Sequence, residues 1–342
     1  MVEIVRNIPE KEWKTFLEDY SEATLYHTPA WKIFLERTFD YKPHYLFATD
    51  DCGSLMGLLP LFHIQSRLTG DRLSSVPFAH ECGCLGDPAT CSALIKETME
   101  IKRQHDVDTI EIRNFTGHPD FQEANTFCTH LLALSQNPNE VWKQLDKGSV
   151  RWAIKKSEKL GVTVTTSKNI EDLKEFYELN RITKQHLGVP CHPWKFFENL
   201  FSDVGEYVHL YLSRYEDKII AGGIIECFKD RILYGYGAAD PRTLHLHPYH
   251  TFIWKSIQDA CVQGYRFCDF GRTSYENTGL IQFKKQWGTR EKKLVYSVFP
   301  GSSTSFLSNR ESTLYRLGNA VIRQMPMPVY TKFSDVVFQH LG

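Results

Sequence analysis

The sequence predicts a mixed α/β (α+β) fold, in which two tandem domains with central mixed sheets arise from an internal duplication. Two observations predict it. Residues 31–39 resemble residues 194–201, and an aspartate-bearing turn and an apolar strand with glycine follow each segment. Each half then reaches an apolar strand that ends in arginine, at 110–113 and 267–272. The paired segments lie roughly 160 residues apart, near the size of one domain, so we expect a functional cleft between the copies.

Residue patterns place the same elements, in the same order, in both halves. Apolar residues at helical spacing predict the helices, and apolar runs bounded by turn residues predict the strands. In the first half we predict helices at 10–20, 29–39 and 93–104. We predict strands at 45–49, 55–64, 109–113 and 126–134. In the second half we predict helices at 172–180, 194–201, 252–262 and 279–287. We predict strands at 208–215, 219–228, 231–239, 266–271 and 293–299.

The predicted boundaries divide the chain into a first domain (1–136), a basic connecting helix (137–162), a second domain (163–300) and a helical tail (301–342). A Gly- and Ser-rich connector at 301–305 precedes the tail, and Pro326 and Pro328 divide the tail into two short helices. Two roles stay open for the tail, namely packing on the second domain or peripheral contact with a membrane surface.

Composition excludes several classes of protein. The 342 residues suffice for two cores, and a net charge of −1 gives no overall field toward nucleic acid or membrane. The nine cysteines are unevenly spaced, which favours reduced thiols over a disulfide framework. No apolar run approaches the roughly 20 residues that span a bilayer. We therefore expect a cytoplasmic location.

The connecting segment carries a basic stripe. Asn137 can cap a helix, and Lys147, Arg151, Lys155 and Lys159 follow at intervals of four residues, which places them on one helical face. Two interpretations stay open. The stripe is a phosphate-facing ridge for tRNA or for a pyrophosphate-bearing substrate, or it is a solvated helix face.

The densest chemical signal lies at residues 269–288. Asp-Phe-Gly-Arg-Thr at 269–273 is followed by Gly-Leu-Ile-Gln-Phe-Lys-Lys-Gln-Trp-Gly at 279–288, which sets charged groups at a strand end beside a lysine and aromatic rings. This region, together with residues 151–162 and 183–190, resembles the FemAB-like family of peptidyl- and acyltransferases. Here Cys268 separates the Phe and Asp of the family pattern.

That resemblance implies two GNAT-like domains and transfer of an activated acyl or aminoacyl group to an amine. Characterised members of the family use aminoacyl-tRNA to extend cell-wall peptide precursors. Other members, associated with exopolysaccharide clusters, are known only as acyltransferases. The segment from Leu246 to Ile257 is similar to the latter group.

Two residues are the predicted catalytic groups. Lys284 matches the family lysine, and a fixed cation aimed at the developing oxyanion contributes about 3–4 kcal/mol. Two alternative roles for Lys284 stay open: it binds a phosphate of the substrate, or it is an ordinary surface lysine. Asp269 is either a general base for the amine or the partner of Arg272 in a structural salt bridge.

The predicted substrate-binding residues come from both sides of this region. Phe283 and Trp287 lie four apart on one helix and either stack on a base or pack in the core. Tyr236 shares a strand face with Tyr234 by alternation. The full predicted set is Phe283, Trp287, Arg272, Tyr236, Thr183 and His186.

We expect neither a cofactor nor a metal. The stretch 242–250 lacks the glycines with which related enzymes hold the coenzyme A pyrophosphate, so acyl-CoA is the less favoured donor. The Cys-x-Cys at 82–84 lacks zinc-site spacing. The sequence therefore predicts an aminoacyl- or acyltransferase acting on an amine of a cell-envelope precursor or related small molecule. The alternatives are an acyl-CoA-dependent N-acyltransferase and a non-catalytic peptide- or glycan-binding protein.

Overall fold

The computed structural model describes residues 2–300 and 313–342, and the chain forms two compact units. The predicted connector at 301–305 lies outside the described residues. Unit 1 comprises Met1–Thr126, Leu294–Ser312 and Val336–Gly342, and unit 2 comprises Phe127–Lys293 and Thr313–Asp335.

Unit 1 packs helices on short sheets. Its helices are α1 (Glu10–Asp19), α2 (Pro29–Phe39) and α3 (Pro88–Gln104), and its strands are β1 (Glu3–Val5), β2 (Lys42–Pro43), β3 (Leu46–Thr49), β4 (Leu55–Leu59), β5 (Phe62–Ser66), β6 (Gly70–Ser74) and β7 (Thr109–Arg113). Strands β1, β3 and β4 form an antiparallel sheet, and β2, β5 and β6 form another in which β6 runs parallel to β7. Leu94 and Ile95 of α3 pack with Ile110 and Ile112 of β7 in the core.

One predicted strand of unit 1 is wrong. Residues 55–64 form two strands, β4 and β5, that pair with different neighbours. Pro60 lies between them, and its missing N–H cannot donate to a continuing ladder. Strand β6 was not predicted, because Gly70–Ser74 is short and mostly polar.

Unit 2 holds the larger sheet. Its helices are α4 (Pro138–Gln144), α5 (Val150–Lys159), α6 (Ile170–Leu187), α7 (Trp194–Asp203), α8 (Pro248–Gln263), α9 (Thr278–Lys285), α10 (Thr313–Gln324) and most of α11 (Met327–Phe338). The remaining strands are β8 (Gln122–Ala133), β9 (Thr163–Ser167), β10 (Val208–Tyr215), β11 (Lys218–Phe228), β12 (Arg231–Ala239), β13 (Phe267–Asp269), β14 (Thr273–Ser274) and β15 (Arg290–Phe299).

The sheet of unit 2 has the order β8-β13-β12-β11-β10-β9. Only β12 and β13 run parallel, and α8 connects them. In unit 1, α3 connects the parallel pair β6 and β7 in the same way. Helix pair, meander, crossover helix and parallel strand therefore recur in both units, which confirms the predicted repeat of one fold.

Two glycines of β11 show how closely helices approach this sheet. A Cβ added at Gly222 would lie 3.1 Å from Phe176 of α6, and one added at Gly223 would lie 2.5 Å from Phe252 of α8. Because successive residues of a strand face opposite sides, α6 and α8 cover opposite faces of the sheet. Larger side chains at these two positions would therefore push α6 and α8 away from β11.

Tyr234 and Tyr236 do not share a face, contrary to the alternation prediction. The register shifts between Ile224 and Ile225, which pair with Tyr236 and Tyr234, so Gly235 is an extra residue in a β-bulge. Tyr234 consequently contacts Phe252 of α8, at 5.9 Å between ring centroids. Tyr236 instead packs on the α7 side of the sheet.

The basic connector is two helices and not one. Helix α4 ends at Gln144 and α5 begins at Val150. Asp146 makes the break, because its carboxylate accepts hydrogen bonds from Ser149 N–H at 2.8 Å and Ser149 Oγ at 2.5 Å. Lys147 therefore lies in a turn, outside the helical face on which it was predicted.

The strand that ends unit 2's repeat is shorter than predicted. Strand β13 ends at Asp269, so Arg272 follows a turn and does not end the strand as Arg113 ends β7. The Asp269 carboxylate accepts the Gly271 N–H at 2.8 Å, and Gly271 has a φ of +68°. That left-handed conformation favours glycine and turns the chain away from the ladder.

The tail packs on unit 2 up to Asp335, as one of its two predicted roles requires, whereas Val336–Gly342 belongs to unit 1. Tyr330 Oη donates to Val189 O at 2.8 Å, and Gln185 Nε2 donates to Met325 O at 2.6 Å. Ile322 and Tyr330 form a buried cluster with Cys191. None of the described helices combines the length and the apolarity that crossing a bilayer requires.

Candidate active site

A cavity of about 360 Å³ lies at the start of α8, within unit 2. We call it the α8 cavity. Aromatic rings, two histidines and a lysine line it, and the full lining is Thr183, Lys184, Leu187, Tyr234, Gly237, Leu244, His247, Pro248, Tyr249, His250, Leu280 and Phe283. A mostly apolar cavity with a few convergent polar groups is the usual form of a small-molecule site.

The helix terminus at this cavity offers few donors for a phosphate. Pro248 occupies the first position of α8 and has no N–H. The His250 N–H is already bonded to His247 O at 3.1 Å. A helix N-terminus binds anions through free N–H groups, so this one is poorly suited to a pyrophosphate.

His250 is a neutral acceptor in the cavity wall. Burial, with a smaller effect of His247, lowers the pKa of His250 to about 4. Its Nδ1 is buried and has no hydrogen-bond partner in the described part of the chain. The ring stacks on Trp287 and meets Phe283 edge-on, at 5.9 and 5.6 Å between centroids. These contacts fix the orientation of a neutral imidazole that can accept a hydrogen bond.

Helix α6 supplies the opposite wall. Thr183 Oγ1 donates to Ala239 O and accepts the Ala239 N–H, both at 3.1 Å, which ties α6 to the end of β12. Lys184 is the next residue, and burial lowers its pKa. The Lys184 side chain lines the cavity, and its amine interacts electrostatically with Cys191 and His192, which lie outside the lining.

A basic and aromatic rim borders the cavity at α5. Trp152 is half exposed, and its ring lies 5.1 Å from that of His247 in the cavity lining. The Lys156 ammonium lies 4.7 Å from the Trp152 ring centroid, within cation–π range. We call Trp152, Lys155, Lys156 and Lys159 the α5 rim. An exposed ring among cations is a surface on which a nucleobase and its phosphates can bind.

Lys284 lies in a second group of polar residues, which we call the Lys284 cluster, with Asp269, Gly271 and Thr129. Lys284 is 3% exposed, and its Nζ donates to Gly271 O at 2.6 Å. Burial lowers the pKa of Lys284 to about 8, against the opposing effect of the Asp269 carboxylate. Lys284 is thus a buried cation and not the surface lysine that the sequence left open.

The Asp269 carboxylate is fully buried and occupied by donors. Thr129 Oγ1 and the Gly271 N–H donate to Oδ1, and the Arg231 guanidinium lies 3.6 Å from Oδ2. These contacts hold the carboxylate in place. They suit a group that positions the chain around Lys284 better than a proton acceptor for substrate.

The structure separates the other predicted residues. Thr183 and Phe283 line the α8 cavity. Trp287 is 0% exposed and supports His250 from the core. The remaining three lie elsewhere, since Arg272 stacks on Phe127 at 4.6 Å, Tyr236 contacts His192 at 5.1 Å, and His186 is an exposed residue of α6.

Sequence reasoning missed four residues of this region, namely Trp152, Lys184, Tyr249 and His250. Tyr249 and His250 lie in the segment from Leu246 to Ile257, where the missing glycines argue against a coenzyme A site and no motif assigns a role to these side chains. Trp152 and Lys184 carried no signal of their own, because only the fold places α5 and α6 at the start of α8.

Residues 147–285 match the family described as "Acetyltransferase (GNAT) domain". No curated protein sequence matches the chain. The matched segment contains the α8 cavity, the α5 rim and Lys284, so the chain carries a GNAT-type acyltransferase domain in this segment.

Solved structures with the same fold cover most of the chain. FemX is 16% identical with a TM-score of 0.67, covering 86% of this chain and 96% of its own. L-PGS from Bacillus licheniformis is 12% identical with a TM-score of 0.57, covering 94% and 98%. A tandem GNAT protein from the clavulanic acid biosynthesis pathway is 10% identical with a TM-score of 0.56, covering 87% and 98%. The predicted tandem GNAT-like architecture and the resemblance to FemAB-like proteins are therefore confirmed at the level of the fold.

Proposed function

We propose that this GNAT-type acyltransferase moves an aminoacyl group from aminoacyl-tRNA to an amine of a cell-envelope precursor or related small molecule in the cytoplasm. The observation that carries the proposal is the α5 rim beside the α8 cavity. A half-exposed tryptophan with Lys156 over its ring, on a helix that also carries Lys155 and Lys159, supports a donor that has both bases and phosphates. The cavity beside the rim has room for an aminoacyl ester and an acceptor amine.

The reaction is direct aminolysis. The acceptor nitrogen attacks the ester carbonyl carbon, a C–N bond forms, and the carbonyl oxygen takes the negative charge. Collapse of this adduct breaks the bond from carbon to the ribose oxygen, and the proton lost by the amine ends on that oxygen. A bound amine needs no covalent enzyme intermediate for this step, because positioning alone supplies much of the rate.

Lys284 does not line the α8 cavity itself but directly follows Phe283 of the cavity wall, and we assign its cation to the charge that develops on the carbonyl or on a neighbouring phosphate. A buried ammonium acts with little screening. Asp269 positions the Gly271 turn on which Lys284 rests, and a general-base role stays the alternative. His250 accepts a hydrogen bond from the attacking amine, because its ring is neutral and lies in the cavity wall.

The start of α8 supports tRNA over coenzyme A as the donor. Pro248 and the bonded His250 N–H leave little of the amide cradle that a pyrophosphate needs. The tRNA backbone instead carries single phosphates, which lysine side chains bind without such a cradle.

The first experiment measures binding of the purified protein to a pool of charged tRNA and to acetyl-CoA at two salt concentrations. We expect tRNA binding that weakens steeply with salt and no binding of acetyl-CoA. Binding of acetyl-CoA alone would establish the acyl-CoA-dependent N-acyltransferase in its place. Ligand binding without turnover under any donor, unchanged by replacement of Lys284, would indicate the non-catalytic binding protein.

A further inference from the structure

A second set of side chains in unit 2 lies outside the steps assigned above. Cys128 and His130 project from β8, and Glu291 lies near the start of β15. One ligand atom from each, a sulfur, a ring nitrogen and a carboxylate oxygen, all lie within 4.8 Å of one another. Thiolate, imidazole and carboxylate are the three side-chain ligands that zinc takes in proteins.

Strand geometry brings the first two together. Cys128 and His130 are two residues apart, so they project from the same face of β8. Pairing of Cys128 with Thr273 of β14 and the bond from Phe270 N–H to His130 O at 2.9 Å hold this stretch of β8 in place. The two ligand atoms therefore keep their spacing without help from a metal.

His130 gives the independent indication of a ligand. The residue is 0% exposed, and neither Nδ1 nor Nε2 has a hydrogen-bond partner among the residues that the structure describes. Leaving a buried polar group unsatisfied costs about 1–3 kcal/mol, so native proteins seldom leave a buried imidazole without a ligand or a bond.

The spacing fits ligands that share an ion better than ligands that bind each other. His130 Nε2 lies 3.9 Å from Glu291 Oε2, too far for a hydrogen bond. Two atoms that each lie about 2.0–2.3 Å from one tetrahedral ion are themselves roughly 3.3–3.7 Å apart. The His130–Glu291 pair is near that separation, and because all three ligand atoms lie within 4.8 Å of one another, side-chain shifts of about 1 Å or less close the set on an ion.

We propose that Cys128, His130 and Glu291 form a binding site for a divalent ion of the zinc class, with the fourth position open to water. The sulfur and nitrogen ligands select borderline-soft ions such as zinc over magnesium or calcium, which prefer oxygen. The ion ties β8 to β15 beside the strand turn that carries the Lys284 cluster.

Two cations face this site and set its limits. Lys285 Nζ lies 3.2 Å from Glu291 Oε2, and its side chain is half exposed. Lys284 is the second, and it is held by Gly271 O. An incoming ion displaces Lys285 into solvent, which costs little for a surface ion pair. Removing the Lys285 charge therefore strengthens metal binding.

No sequence motif predicts this site, because zinc motifs are recognised by paired ligands that lie close together in the chain. Here Glu291 is distant from Cys128 and His130 in sequence, and β15 alone brings it near. The expectation of no metal rests on the Cys-x-Cys at 82–84 and does not include these three residues.

The test is titration of the metal-free, full-length protein with cobalt(II) and zinc. Cobalt bound to a thiolate gives a near-ultraviolet charge-transfer band, and zinc is counted by equilibrium dialysis and elemental analysis. We expect one ion per chain, competition between the two metals, and a band that Cys128→Ser abolishes. His130→Gln and Glu291→Gln each weaken zinc binding at least about 10-fold, and Lys285→Met strengthens it.

Matched controls separate this site from surface binding. Cys52→Ser and His245→Gln remove an exposed thiol and an exposed imidazole and leave binding unchanged. Zinc raises the melting temperature of the wild type but not that of Glu291→Gln, a partly exposed position that spares the core. Equal zinc binding by the Cys128→Ser, His130→Gln double variant, or cobalt binding without a thiolate band, overturns the proposal. Neither outcome bears on tRNA binding, so the proposed function is tested separately.

Discussion

Burial of a single amine governs the chemistry assigned to Lys284. The sequence identifies this lysine as a candidate by its position beside Phe283. A sequence does not distinguish a lysine at the surface from a lysine in a pocket. The fold covers its side chain and directs Nζ at Gly271 O. A cation in that setting interacts strongly with any negative charge that develops nearby.

Replacing Lys284 by methionine, which keeps the length but removes the charge, should lower kcat on the order of 10²- to 10³-fold. Binding of charged tRNA should change far less. Wild-type kcat should also fall as pH rises through about 8, where Lys284 loses its proton. Lys285→Met is the control, because Lys285 is exposed and adjacent in sequence. Equal losses in the two variants would remove Lys284 from the catalytic step.

The same amine makes stability depend on pH. Because its folded pKa lies below the ordinary 10.5, the unfolded chain binds this proton more tightly between about 8 and 10.5. The free energy of unfolding contributed by this site therefore rises with pH across that window, by roughly 3 kcal/mol in total. Urea titrations on either side of the window should show the rise in wild type and its absence in Lys284→Met. A parallel pH dependence in both proteins would contradict the buried charge.

At the scale of elements, the bulge in β12 shapes the α8 cavity. Gly235 is the extra residue, and it turns Tyr234 toward α8 and Tyr236 toward α7. Strand β12 pairs with β13 over only three residues, Arg231–Leu233. Beyond them β12 presents a strand edge next to the cavity, where an extended substrate can add backbone hydrogen bonds.

Gly237→Ala should disturb this edge. A Cβ at Gly237 would lie 1.7 Å from the Tyr234 hydroxyl, so the phenol in the cavity wall must move. We expect a loss of about 1–3 kcal/mol in the free energy of unfolding and weaker donor binding. Gly279→Ala is the control, since its Cβ meets nothing closer than 4.0 Å. Wild-type stability and binding in Gly237→Ala would show that the tyrosine is free to move.

At the scale of the whole molecule, charge is balanced overall and uneven locally. The net charge of −1 would not attract tRNA. The α5 rim concentrates cations on one short helix. With Lys147 outside α5, the predicted basic face of that helix consists of Arg151, Lys155 and Lys159.

The double reversal Lys155→Glu, Lys159→Glu should weaken tRNA binding and reduce the salt slope of log K by roughly 1–2. The matched control is Lys11→Glu, Lys42→Glu, which makes the same change in net charge at exposed positions of unit 1. An unchanged slope in the rim variant, or equal slopes in both, would exclude the rim as the tRNA contact.

Much of the architecture was predictable because local patterns set it. Helix α2 has the predicted bounds, since Thr28 caps it and Pro29 begins it. Strands β7, β10 and β12 also match their predicted residues. The errors occur where one residue redirects the chain, at Pro60, Asp146 and Gly235, and such positions carry little weight in a pattern averaged over a window.

The sequence by itself determined the repeat, the class of fold, the resemblance to FemAB-like proteins and the choice of Lys284. These depend on periodicity and on motifs, which are contiguous along the chain. Tertiary structure alone decided that Lys284 is buried, that Asp269 pairs with Arg231, and that His250 and Trp152 border one cavity. Burial and contact between distant residues depend on how helices pack on a sheet, and no local stretch of sequence contains that information.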